Sequence, residues 1–319
     1  MPEPSVQNAE LRSASEVRSG ERFLVTGALG CIGAWVCRQL LAEGVQVVAY
    51  DLGADLHRLE LVLAAGQLER ITFLRGDVTD LRQVEATLAE HRITHVVHLA
   101  ALQVPFCRAD PALGAHVNVV GTVNVFEAVR QAGLASTIAY ASSAAVYDAQ
   151  ATLAPGTIYG VYKRATEQMA ELYAAERGLA TTGLRPHTVF GPGRDQGLTS
   201  APTKAMLAAA AGLPYAIPYT GRAQFQYAPD VASAFVQAVT APASGARGAL
   251  PDLLRRPHAV PLRSRRGRRL RAGRALGTRR GGRLQPRRRC PRHGRPGRGD
   301  PHRRASRGDH LRGGVAALP

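Results

Sequence analysis

Tyr159 and Lys163 stand four residues apart in a stretch with helical patterning, so their side chains share a face one turn apart. An ammonium beside a phenol favours the phenolate and lowers a pKa that is about 10 in water. Such a tyrosine can take up and return a proton near neutral pH. Tyr162 adjoins Lys163 but points about 100° around the helix, which makes it the poorer candidate. Upstream, Ala141-Ser142-Ser143-Ala144-Ala145-Val146-Tyr147 follows an apolar strand, at the edge where open α/β sheets bind ligands. A hydroxyl there can hold a substrate oxygen beside the tyrosine. Either serine alone reads equally well as a strand-end group satisfying local backbone. The Tyr…Lys pair is common by itself, and its conjunction with the serines is what points to acid–base chemistry.

A second constellation lies near the start. Phe23-Leu-Val-Thr-Gly27-Ala-Leu-Gly30-Cys-Ile-Gly33 sits where a strand passes into a helix. Glycines there allow a tight turn, a close approach of backbone to a pyrophosphate, and close helix–strand packing. The helix N-terminus adds free N–H groups and partial positive charge. Asp51 follows at the end of the next strand, where an acid can bind adenosine ribose hydroxyls and would repel the extra phosphate of NADP. The pattern therefore calls for NAD. Gly76-Asp77-Val78, after a third strand, would lie beside the adenine, although Asp77 alone is equally a turn or capping residue.

Positioning these groups requires an α/β fold, a doubly wound parallel sheet. Candidate strands are Phe23–Thr26, Val45–Tyr50, Ile71–Arg75, His95–Leu99, Thr137–Ala141 and Thr181–Val189, mostly unbroken apolar runs suited to burial on both faces. Helical stretches lie between and after them at Ile32–Ala42, Leu81–His91, Pro111–Ala132 and Tyr159–Arg177. Beyond the loop Gly191–Gly197, a helix is expected at Pro202–Ala211, an extended piece at Gln224–Tyr227, and a further helix with Asp230 as its N-cap.

The formal net charge of +17 is uneven. Residues 247–319 hold 23 Arg and 3 Asp with no Lys or Glu, which leaves residues 1–246 at −3. The body thus has no basic surface calling for nucleic acid. The four cysteines, Cys31, Cys37, Cys107 and Cys290, form no C-x-x-C pair, so neither a zinc site nor a disulfide framework is expected, and no metal is called for. Residues 1–20 form a polar extension without an apolar signal core, and no apolar run is expected to reach the ~20 residues of a membrane span. The expected location is cytoplasmic.

Further landmarks follow in order: His98-Leu-Ala-Ala101, Asp110-Pro111, Asn118-Val-Val-Gly-Thr122, Leu184-Arg-Pro186, Phe190-Gly-Pro192 and Tyr227-Ala-Pro-Asp-Val231. With the glycine loop and the Ser–Tyr–Lys set, the chain resembles the extended short-chain dehydrogenase/reductases, and among them the NAD-dependent epimerase/dehydratase family that includes UDP-sugar 4-epimerases. The resemblance implies a Rossmann-type domain over 21–185 and a small, incomplete substrate lobe over 186–246. It implies Ser143, Tyr159 and Lys163 as catalytic residues, Lys163 also binding the nicotinamide ribose. The implied cofactor set is Gly27, Gly30, Cys31, Ile32, Gly33, Asp51, Asp77, Val78, Leu99, Ala100, Ala101, Asn118, Tyr159, Lys163 and Pro186. Ser142, Ser143, His187, Thr188, Arg194 and Arg222 are candidate contacts to a sugar-like substrate. A homodimer through helices 111–132 and 159–177 is implied too.

Two departures narrow the activity. Ala144-Ala145 follow Ser143 where sugar-nucleotide 4,6-dehydratases carry Asp-Glu, so the acid and base for water loss are missing. Thr188 stands where sugar-nucleotide epimerases usually have Asn, which weakens the case for a nucleotide diphosphate. The expected activity is hydride transfer at a secondary alcohol, as an epimerase. The alternatives are a dehydrogenase of a free sugar, sugar acid or other small alcohol, and a non-catalytic NAD-binding regulator with a nucleic-acid-binding tail.

The tail itself, 247–319, contains no Ile, Phe, Tyr, Trp, Met, Lys, Glu or Asn. Such a stretch cannot bury enough apolar surface to offset its chain entropy and is expected to be disordered. Arg, Gly, Pro and Ala belong to GC-rich codons, so an out-of-frame reading beginning near Gly245–Gly248 is the favoured account. A genuine Arg-rich nucleic-acid tail is the rival, lacking aromatics for base stacking.

Overall fold

The computed structural model describes residues 20–148, 150–241 and 259–262, the last four and residues 221–222 as backbone only. All lie in the first of two units of the chain, Met1–Ala272. Six strands, β1 (Arg22–Thr26), β2 (Gln46–Asp51), β3 (Ile71–Arg75), β4 (His95–His98), β5 (Ile138–Ala141) and β6 (Thr181–Leu184), pair in the order β3-β2-β1-β4-β5-β6. Every pairing is parallel. Helices α1 (Cys31–Ala42), α2 (His57–Val62), α3 (Leu81–Glu90), α4 (Val104–Ala109), α5 (Pro111–Ala115), α6 (Gly121–Gln131), α7 (Ile158–Arg177), α8 (Ala201–Ala210) and α9 (Ala228–Thr240) complete the described elements.

The strands alternate between two cores. Phe23, Val25, Val47, Ala49, Val97 and Ala139 pack with α1 and α9, while Leu24, Val48, Tyr50, Val96, Ile138 and Tyr140 pack with α3, α6 and α7. Both faces being covered explains why the strands read as continuous apolar runs. The strand order reverses at β1, with β2 on one side and β4 on the other, so a crevice opens at the carboxyl ends between β1 and β4.

Several expectations are corrected. The single strand expected over Thr181–Val189 is two: β6 ends at Leu184, and β7 (Thr188–Phe190) enters a second sheet, ordered β7-β8-β9. Pro186 sits in the break, where it has no N–H to give a ladder. The helix expected over Pro111–Ala132 is α5 and α6 joined through a π-helical turn, His116–Val120. Asp230 does not cap α9: Tyr227 is the N-cap, Pro229 occupies the first turn where no N–H is needed, and Asp230 lies one step inside, still favourable to the helix dipole. Helices α2 and α4, six residues each, were not expected. Within the tail, β9 (Ala259–Leu262) pairs antiparallel with β8 (Gly221–Tyr227), so disorder does not extend over those four residues. The rest of the 247–319 reading, like that of 1–19, lies outside the described residues. Finally, Pro111–Gln131 is by length and composition long and apolar enough to cross a membrane, against the expectation that no run would be. Nearly half of it is buried inside the fold, with Val125, Phe126, Ala128 and Val129 in the core.

Candidate active site

The glycine loop forms because each glycine meets a specific obstacle. Gly27 has φ +69°, and a Cβ on it would lie 2.6 Å from the Ala100 nitrogen, so β1 turns directly against the end of β4. A Cβ on Gly33 would lie 2.3 Å from the Gly27 oxygen, which fixes the closeness of α1 to the turn. Gly30 is the N-cap of α1 and supplies no side-chain cap, leaving the first N–H groups of the helix open to an anion. Cys31 is buried at this first turn, and burial pushes its thiol up to about 11 despite the opposing charges of Arg194 and Arg58. Ile32 is half-buried.

Asp51 closes β2 with one carboxylate oxygen accepting from the Leu29 N–H and the other from Gly53 N–H, both at 3.0 Å. It therefore braces the glycine loop and keeps lone pairs for ribose hydroxyls. Asp77 accepts from the Thr79 N–H at 2.9 Å, an Asx turn. The Val78 side chain is buried against Gly121 in the core, so it supports this rim from behind. Leu99, Ala100 and Ala101 are half-buried along the crevice beside Gly27, as a cofactor wall requires. Asn118 is fully buried in the π-helical turn; it accepts from the Leu102 N–H at 2.9 Å and donates to the Leu102 oxygen at 3.1 Å. Its side chain thus holds the wall segment.

At the far side of the crevice, Ser143 caps a short 3-10 turn, Ala144–Val146, its Oγ accepting from the Ala145 N–H at 3.1 Å, and its hydroxyl stands beside the Tyr159 phenol. Tyr159 and Lys163 lie on α7, whose Thr157 N-cap accepts from the Gly160 N–H at 3.0 Å. Lys163 Nζ donates to the Ala141 oxygen at 2.8 Å and lies 5.8 Å from the Tyr159 ring centre. Burial pushes the Tyr159 phenol upward, and the groups that oppose this are Ser143, by its hydrogen bond, and Arg194, by its charge. Burial lowers the pKa of Lys163 itself to about 8. Spacing by four brought the chains together but set the ammonium over the ring face. Close by, fully buried His98 bridges Thr26 at 2.7 Å and Thr122 at 3.1 Å, and burial with the nearby Lys163 charge pushes its pKa down to about 3.

Ser142 is also corrected as a substrate contact. Its hydroxyl is buried and donates to Glu167 at 2.5 Å. Glu167, one turn beyond Lys163, also accepts from Arg185 at 2.6 and 2.8 Å and from Arg164 at 3.1 Å. Burial would raise this carboxyl, but Arg185, Ser142 and Arg164 hold it below the usual range. Arg185 also donates to the Tyr147 hydroxyl and lies over its ring. This network, missed from sequence, joins α7, the end of β5 and the end of β6 near Ser143, Tyr159 and Lys163. The signal was an acid four residues after Lys163 on an inward-facing helix side.

Pro186 is buried, with its oxygen accepting from the Ala144 N–H at 3.0 Å. His187 is exposed, and its N–H donates to Gln226 at 2.9 Å. Thr188 is half-buried in β7. Arg194 donates from Nη2 to Thr199 at 2.5 Å; its charge acts on both Tyr159 and Cys31, and its buried Nε has no partner among the described residues. The side chain of Arg222 lies outside the described residues.

Residues 23–250 match the model of the NAD dependent epimerase/dehydratase family. UDP-glucuronate 4-epimerase 2 of Arabidopsis thaliana is 34% identical over 197 residues, 57% of this chain and 45% of that protein. The chain spans about half the length of the curated relatives it matches. A UDP-glucose 4-epimerase of Thermus thermophilus, solved in complex with NAD, is similar at TM-score 0.58 and 31% identity, covering 69% of this chain and 75% of that one. A partial-consensus L-threonine 3-dehydrogenase is similar at TM-score 0.61 and 26% identity, covering 70% and 73%.

Proposed function

We propose that this chain, which belongs to the NAD dependent epimerase/dehydratase family, oxidises a secondary alcohol of a sugar or nucleotide-sugar-like substrate with NAD and, as an epimerase, reduces the ketone again from the other face. The observation that carries this reading is the convergence of the Ser143 hydroxyl, the Tyr159 phenol and buried Lys163, whose Nζ lies 5.8 Å from the Tyr159 ring centre. The residues at the crevice fit the cofactor: the glycine cradle leaves no room for Cβ atoms, the α1 N-terminus is open, and Asp51 suits an unphosphorylated ribose. When bound, NAD would accept the hydride leaving the alcohol carbon. Ser143 holds the substrate oxygen, and Tyr159 removes its proton. Lys163, anchored to the Ala141 oxygen, would present its remaining N–H groups to the nicotinamide ribose. Ala144-Ala145 supply no acid or base, so water elimination is not part of the reading.

A dehydrogenase is the second reading, supported by the likeness to a threonine dehydrogenase and by Thr188. Denaturing the purified chain and identifying released nucleotide separates the two. Retained NAD supports the epimerase, an empty site that binds NAD reversibly supports the dehydrogenase, and no NAD binding overturns both. With UDP-glucose and UDP-glucuronate as trial substrates, Tyr159→Phe is expected to lower turnover by about 10²–10⁴ while sparing NAD binding. An unchanged rate removes Tyr159 from the mechanism.

The reading includes a homodimer through helices 111–132 and 159–177, supported by exposed Leu113, Val120, Val161 and Leu172. A cytoplasmic location is supported by Cys31, Cys37 and Cys107, all free thiols.

A further inference from the structure

Loop Gly191–Gly197 does not stand on its own segment; it is fastened to the cofactor half of the molecule. The Pro192 oxygen accepts from Trp35 Nε1 at 3.0 Å, in the second turn of α1. A Cβ on Gly193 would lie 3.9 Å from the Cys31 sulfur and 3.8 Å from Arg58. The loop therefore lies along the first turn of the helix whose free N–H groups would receive the pyrophosphate of a dinucleotide. The strongest fastening is ionic. Arg58 on α2 donates to Asp195 at 3.0 and 2.7 Å through Nε and Nη2. Its Nη1 donates at 2.9 Å to the oxygen of Leu29, a residue of the glycine loop itself. His57 sets one ring nitrogen 3.0 Å from Asp195 and the other 2.7 Å from Asp55. Both ring nitrogens face carboxylates, an arrangement completed only by an imidazolium donating from each.

Asp195 follows directly after Arg194, whose charge reaches Tyr159. Arg194 itself donates from Nη2 to Thr199 at 2.5 Å, so the two neighbouring side chains fasten the loop at both ends. Farther along, Gly197 abuts Gln103 at the start of α4, so the loop spans from the glycine turn to the opposite wall. We propose that Arg58, His57 and Asp195 form a clasp that holds loop Gly191–Gly197 closed over the bound dinucleotide and sets how fast it exchanges. These are positioning residues, and the proposal rests on the NAD-dependent reading above. Guanidinium geometry suits the role, because one planar group serves the Asp195 carboxylate and the Leu29 carbonyl at once.

The test is a chase: the full chain is loaded with NADH, excess NAD is added, and loss of NADH fluorescence is timed. Asp195→Asn, with its carboxylate at a partly exposed site, is expected to fold normally and release NADH about tenfold faster. Arg58→Gln is expected to do the same, and R58Q combined with D195N is expected to be no faster than the faster single variant. If R58Q does not fold, Asp195→Asn and its partial rescue by Asp195→Glu decide the matter. Release from D195N at the wild-type rate overturns the clasp, as does a double variant whose acceleration is the product of the two single effects. Wild-type protein that takes up no NADH overturns the NAD reading together with the clasp, an outcome distinct from intact binding with unchanged release.

Discussion

Residues 21–185 place their chemistry-bearing groups at the ends of strands and helices that hold themselves in position, whereas residues 186–241 carry theirs on a loop and a short sheet fastened to that body. In the first region Ser143, Tyr159 and Lys163 rest on the buried Glu167–Arg185–Ser142 network, and Asp51 braces the glycine turn. In the second, Arg194 Nε, Tyr219 hydroxyl and Gln226 Nε2 are buried without a partner among the described residues. Leu198, Met206, Leu207, Leu213 and Tyr215 are exposed there. Helix α8 buries only Ala201, Pro202 and Thr203, while α9, which packs on α1, buries eight of its residues including Phe235. The difference teaches that the residues proposed for the chemistry are held by the sheet body itself, whereas those proposed to read the substrate depend on attachments to it.

The largest expected effect tests the self-sufficiency of the body. Glu167→Ala leaves half-buried Arg185 and the buried Ser142 hydroxyl without their carboxylate and should cost about 3 kcal/mol in urea unfolding. A cost below about 1 kcal/mol would mean that the trio does not rest on that network. Next in size is the pH response of Lys163. Its folded pKa of about 8 lies below its ordinary value, so the fold bears a cost wherever the amine is charged. That cost is full below about 8 and is relieved as pH rises toward the unfolded value, so this group makes the cofactor-free protein gain stability on going from about pH 8 to 10. Lys163→Met should flatten that rise and raise stability at neutral pH; thermal melts across this range would show an unaltered slope if the amine were well solvated. The smallest effect belongs to the second region. Leu207→Ser on exposed α8 should shift stability by less than about 0.5 kcal/mol. A loss of 2 kcal/mol or more (the order of a buried apolar truncation) would show that α8 is covered in solution and would erase the contrast.

Much of the body was legible because its signals are local. Continuous apolar runs, glycines at Gly27, Gly30 and Gly33, and an acid closing β2 each constrain backbone or burial within a few residues. The break between β6 and β7 was not legible as two sheets, since Thr181–Leu184 and Thr188–Phe190 have the same strand-forming composition and only their partners differ. The spacing of Tyr159 and Lys163 gave proximity but not direction. Burial at the crevice pushes the Tyr159 phenol up and the Lys163 amine down, which spacing along the helix does not record.

By itself the sequence determined the doubly wound sheet, the glycine cradle, the acid at Asp51 and the Ser143–Tyr159–Lys163 set, because periodicity and turn chemistry act between near neighbours. Only the tertiary structure decided that Ser142 belongs to Glu167, that Asn118 holds the Leu102 wall, and that Arg58 reaches Asp195. Those pairs are separated by 25, 16 and 137 residues. Ionic and hydrogen-bonding partners at such separations are chosen by how elements pack, and no local pattern along the chain records that choice.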